Sequence, residues 1–111
     1  MKIGVRQREG VTILDLKGRI TIGVGDVALR EAVHQALGAG AKHILINLKD
    51  VSTIDSSGVG ELVSTYTTAT NRGGKLKLLN LPPKVADILQ ITQLITVFEV
   101  FDDENEAIGS F

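Results

Sequence analysis

The sequence predicts a single α/β domain built on a mixed sheet of about five strands. Three observations lead there. Short runs rich in Ile, Val and Leu recur along the chain at strand length. Between the later runs lie segments whose apolar residues follow a helical period. The first two runs meet across the Glu9-Gly10 turn signal, so the chain opens with a hairpin and only then alternates strand and helix. A hairpin pairs antiparallel, whereas strands joined through helices pair parallel. At 111 residues the chain is long enough for one well-buried core, and residues 1–111 are expected to form one domain.

Taken in order, Ile3 and Val5 alternate with Lys2, Gly4 and Arg6, as on an edge strand. Val11-Thr12-Ile13-Leu14-Asp15-Leu16 reads as the returning strand, ended by Gly18. Arg19 to Gly25 reads as a loop, yet it carries Ile20, Ile22 and Val24. Part of such a loop must enter the core or meet a partner. Asp26 is the expected N-cap of a helix with Leu29, Ala32, Val33, Ala36 and Leu37 on its inner face, closed by Gly38 and Gly40.

His43 to Leu48 reads as a fully buried strand, and Lys49 to Ile54 as an approach loop. Asp55-Ser56-Ser57-Gly58 then opens a helix with Val59, Leu62, Val63, Tyr66 and Ala69 on one stripe. It is closed by Asn71-Arg72-Gly73-Gly74. Leu76, Leu78 and Leu79 mark another buried strand. Pro82 and Pro83 stand at a helix opening, where proline is tolerated, before the stripe Val85, Ile88, Leu89. Val97 to Phe101 reads as the last strand. Asp102-Asp103-Glu104 suits a first helical turn, and Ala107, Ile108 and Phe111 would dock that short helix.

Composition limits function. The formal net charge is −1, which offers no basic field for nucleic acid or anionic lipid. Cysteine is absent, so there are no disulfides and no thiolate chemistry, and a cytoplasmic location is expected. Met1-Lys2-Ile3-Gly4-Val5-Arg6 lacks the apolar core of a signal peptide, and no apolar run reaches membrane-spanning length. With no Trp and a single Tyr, a platform for stacking bases or sugars is not expected.

Enzyme-like patterns fail on context. Gly23-Val24-Gly25-Asp26-Val27-Ala28 fits G-x-G-x-x-A, but the strand expected before it ends near Leu16, so the tight strand-to-helix turn is missing. Ser57 is not in a nucleophile elbow, because Asp55 stands where G-x-S-x-G needs glycine. His34 falls off the apolar stripe of its helix. His43 lies at the far end of its strand from Ser57, and neither histidine belongs to a metal-ligand cluster. No enzymatic activity, cofactor or metal is expected.

The serine segment has its own physics. The first N–H groups of a helix lack partners and carry partial positive charge. A serine there can cap the helix, and a phosphoserine would be stabilised by the same groups.

Ile54-Asp55-Ser56-Ser57-Gly58-Val59-Gly60 after a buried strand resembles the phosphorylation-site loop of STAS domains, specifically bacterial anti-sigma factor antagonists. Val11 to Ile20 is similar to the family's second strand and its exit. Gly73-Gly74-Lys75-Leu76 is similar to its Gly-Gly-x-Leu turn, and Phe98 to Phe101 with the acidic residues that follow to its C-terminal end. The resemblance implies a STAS-like fold with helices mainly on one face. It implies a regulatory protein that binds an anti-sigma factor acting also as a serine kinase, and so releases a sigma factor. Phosphorylation of the motif's second serine, Ser57, would block binding, and a serine phosphatase would restore it. Asp55 and Ser56 would shape the acceptor loop, and Gly58 and Gly60 would leave the backbone open to the partner. Ile22, Glu61 and Ser64 are the further expected partner contacts, Glu61 being equally readable as a first-turn acid. The chain departs from the family's common Gly-Glu-x-Asp pattern after the second strand, carrying Gly18-Arg19-Ile20-Thr21. Ser52, Thr53 and Ser56 are alternative acceptors. The alternative role is a scaffold subunit of a signalling assembly or of a lipid or anion transport system.

Overall fold

The computed structural model describes residues 1–111. In chain order it comprises β1 (Lys2–Arg8), β2 (Val11–Ile20), α1 (Gly25–Gly38), β3 (His43–Ile54), α2 (Ser56–Asn71), β4 (Lys75–Leu79), α3 (Pro83–Ile91), a 3₁₀ turn (Leu94–Thr96), β5 (Val100–Phe101) and α4 (Glu104–Gly109). The five strands lie side by side in sequence order. β1 and β2 are antiparallel, and every later pair is parallel. The sheet is therefore mixed, as the opening hairpin requires.

Alternation in the strands separates two cores. Leu14, Leu16, Ile44, Ile46, Leu76 and Leu78 join the stripes of α1, α2 and α3, Val33, Leu62 and Leu89 among them, in the larger core. Val11, Ile13, Leu45 and Leu79 join Ala107 and Ile108 of α4 in a smaller one. Three helices thus cover one face, and α4 alone sits on the other. The short helix is held by more than its apolar residues. Glu104 accepts from both Arg6 and Arg8, and Lys77 Nζ donates to the Ser110 carbonyl at 2.8 Å.

Several boundaries differ from those expected. β2 does not stop at Gly18 but runs on to Ile20, with irregular register against β3 between Asp15 and Lys17 and again between Gly18 and Arg19. These bulges break the period-2 pattern while keeping the ladder. For the same reason Lys49 to Ile54 is strand, paired with the extension of β2. Of the apolar residues expected in the loop, Ile20 ends β2 and enters the core. The last strand is shortened to Val100–Phe101. Gln93 adopts a left-handed conformation ahead of the 3₁₀ turn, and Phe98 goes into the larger core. Asp26 is not an N-cap. Val24 holds that position, and Asp26 Oδ1 accepts from the N–H of Val27 at 2.7 Å within the first turn.

Candidate functional site

In this connectivity α1, α2 and α3 each follow a parallel strand, so their N-termini gather at the C-terminal ends of β2, β3 and β4. Open α/β sheets place their working residues there. α2 begins at Ser56 with Asp55 as its N-cap. Neither serine performs that task. Asp55 Oδ1 accepts from the N–H of Gly58 at 2.9 Å, and Oδ2 accepts from the N–H of Ile22 at 3.0 Å. One carboxylate closes the helix and fastens the loop between β2 and α1. The donors at Gly58 and Ile22, in that order, hold the Asp55 carboxyl below its ordinary value.

The cap leaves Ser56 exposed and Ser57 half-buried on the first turn. Gly60 and Ser64 continue the solvent-facing side of α2. Across from them the loop presents Ile22 at 73% exposure and Val24 at 65%. Two large apolar side chains thus stand in water on the loop whose Ile22 N–H is held by Asp55.

Two of the expected contacts also have internal roles. Gly58 is buried, and a Cβ on it would lie 2.1 Å from the Ile20 carbonyl oxygen. Its missing side chain is required by packing within the chain, so of the two glycines only Gly60 leaves open backbone. Glu61 is neither a first-turn acid nor a free surface group. Its side chain is 12% exposed, and its Oε1 accepts from Arg30 Nε at 3.1 Å, joining α2 to α1. Gly25 is fixed in the same way as Gly58, since a Cβ there would meet the Arg19 carbonyl oxygen at 1.9 Å. The G-x-G spacing was its only signal in the sequence. Nothing local could have paired Arg30 with Glu61, thirty-one positions away.

The remaining titratable candidates lie elsewhere. His34 is exposed on α1, and His43 stacks on Phe111 with ring centroids 5.2 Å apart, at the opposite end of β3 from Ser57. No group of three or more His, Cys, Asp or Glu is placed to hold a metal ion. No helix is long and apolar enough to cross a membrane.

Residues 2–107 match the family model of the STAS domain. The chain belongs to the STAS domain family. Among similar proteins, the anti-sigma-B factor antagonist of Bacillus subtilis is 33% identical over 100 residues, covering 90% of either chain. A crystal structure from Thermotoga maritima matches this STAS chain with a TM-score of 0.88 and 25% identity, over 97% of this chain and 92% of the other. The Bacillus cell fate determinant SpoIIAA in its phosphorylated form has the same fold, with a TM-score of 0.75 and 23% identity over 98% of both chains. The β2 exit, the serine turn and the start of α4 of this STAS chain all fall within the residues the family covers.

Proposed function

We propose that this STAS chain is a cytoplasmic regulatory protein whose binding is switched by phosphorylation of Ser57. Unmodified, it docks an anti-sigma factor that is also an ATP-dependent serine kinase, and the sigma factor is released. Modified on Ser57, it no longer docks, and a serine phosphatase resets it. The chain itself contacts no nucleic acid, inserts in no membrane and needs no cofactor.

One observation carries this reading. Asp55 supplies the cap, so the Ser57 hydroxyl is not committed to holding the helix, and the same carboxylate ties the serine turn to the loop that exposes Ile22 and Val24. A phosphate on Ser57 adds about −1.5 to −2 charges next to the Asp55 carboxylate and to the loop that exposes Ile22 and Val24. The helix N-terminus accommodates that charge, so the fold persists while docking is lost through repulsion and desolvation. Ser56, Gly60 and Ser64 extend the docking face along α2. The similarity to the anti-sigma-B factor antagonist supports the choice of partner.

The test is intact mass and site mapping after incubation with ATP and a lysate of the source organism, with wild type and Ser57→Ala side by side. One phosphate in wild type and none in Ser57→Ala is expected. Phosphate on Ser52, Thr53 or Ser56 would move the switch to that residue. If a control substrate shows active kinases and neither protein is modified, a scaffold or transport subunit becomes the better reading. Separately, Ser57→Asp should weaken partner binding by about tenfold or more, roughly 1.4 kcal/mol. Its thermal midpoint should stay within about 2 °C of wild type, as for an ordinary surface substitution.

A further inference from the structure

We propose that the free edge of the sheet, β1, is a second docking site, which takes an extended segment of a partner protein with acidic residues at alternate positions. β1 pairs only with β2. Along its seven residues, the outward backbone N–H and C=O groups have no ladder partner. The opposite edge offers no comparable strand, since β5 has two residues.

The two faces of β1 differ in chemistry. Its register sets Ile3, Val5 and Gln7 opposite Leu16, Leu14 and Thr12, on the α1 side of the sheet. Lys2, Arg6 and Arg8 fall on the α4 side. On the α1 side Val5 is 62% exposed and lines a groove of about 740 Å³ shared with Leu14, Ala32, Gln35 and Ala36. Cavities of about 300–1,000 Å³ accommodate ligand-sized groups. An added strand gains main-chain hydrogen bonds from the edge, and its alternate side chains supply specificity. One set enters the groove beside Val5, which suits short aliphatic residues. The other set faces Lys2, Arg6 and Arg8, which suits Asp or Glu. Arg6 and Arg8 have internal carboxylate partners but remain 41% and 39% exposed, so an incoming carboxylate can share them.

Charge selects this occupant over a second copy of the chain. In an antiparallel pairing of two β1 strands centred on Gly4, Lys2 faces Arg6. Centred on Val5, Lys2 faces Arg8, and centred on Arg6, Arg6 faces itself. Like charges directly opposite each other are destabilising. The groove extends towards Gly10, Gly40 and His43, at the start of β3, whereas Ser57 follows the end of β3. The two surfaces can therefore be occupied independently.

The probe is a synthetic peptide of alternating Val and Glu, matched in length to β1, with a Val–Lys counterpart as control. Amide hydrogen exchange of the isotope-labelled full chain is the readout. With the Val–Glu peptide, exchange of the outward amides within residues 2–8 should slow by about tenfold or more, and with the Val–Lys peptide it should not change. Val5→Glu should lose at least about tenfold in affinity with little change in thermal midpoint, because its side chain is exposed. Lys2→Glu should weaken the Val–Glu peptide and strengthen the Val–Lys one. Ser57→Asp should bind the Val–Glu peptide as wild type does. Equal binding of both peptides, protection mapping away from β1, or unaltered affinity in Val5→Glu would overturn the proposal. So would protection of β1 that appears with rising protein concentration and no peptide, which would assign the edge to a second copy.

Discussion

A Cβ on Gly58 would overlap the Ile20 carbonyl oxygen, whereas one on Gly60 meets nothing within 4 Å. The two glycines, two positions apart on one helix, should therefore respond oppositely to alanine. Gly58→Ala should destabilise by about 1–3 kcal/mol, the usual range for overpacking. Gly60→Ala should stabilise by about 0.5–1 kcal/mol, because glycine inside a helix carries an entropic cost. Thermal midpoints of the two variants decide it, and equal behaviour would mean that α2 can move off Ile20. Asp55→Ala should cost about 1 kcal/mol as a lost cap. It should also speed hydrogen exchange at Ile22, which a capping defect alone would not do. The motif itself was legible in the sequence, but the division of labour within it was not. Asp and Ser are both good N-caps, and only the position of the Ile22 N–H shows why the carboxylate, with two acceptor oxygens, holds the role.

At the scale of elements, α4 is the informative case. Its apolar residues and acidic start were readable, and they dock it as expected. Its ion pairs were not readable, since Arg6 and Glu104 lie ninety-eight positions apart. Arg6 meets Asp15 through two nitrogens and also reaches Glu104, while Asn47 donates to Asp15 at 2.9 Å. The Arg6 hydrogen bond is the main cause that holds both Asp15 and Glu104 below their ordinary values of 3.8 and 4.5. Depressed carboxyls contribute stability that is complete above those ordinary values and is lost as pH falls through the lower folded values. The thermal midpoint should therefore drop as pH falls below about 4.5. Arg6→Ala should flatten that drop, and an equally steep one would remove the network from the account. The pairs are partly solvated, so the gain at neutral pH is small, about 1 kcal/mol or less per pair. The strand boundaries that were missed have two physical origins. Bulges carry β2 and β3 past the point where alternation stops, and a left-handed Gln93 diverts the chain before β5.

Across the whole molecule, each strand pairs with its neighbour in sequence. The sequence indicated a mixed sheet of about five strands without its order, and the order found is the one that short connections favour. The arrangement and the size favour a single cooperative unfolding transition. Tyr66, the only tyrosine, packs edge-on against Phe98 with centroids 5.4 Å apart, so it reports on the packing of α2 against the segment before β5. Urea unfolding followed by tyrosine fluorescence and by far-ultraviolet circular dichroism should coincide. Separate transitions would mean that the β5–α4 end opens on its own. The convergence of α1 and α2 on the Arg19–Ile20 backbone has a further consequence, for diversification. Positions 25 and 58 are frozen by the frame, while Ile22, Val24, Gly60 and Ser64 are free to change without disturbing it. Two proteins of this design in one cell can thus be insulated from each other's partners by exchanging surface positions alone, and cross-talk becomes a property of the loop tip and not of the fold.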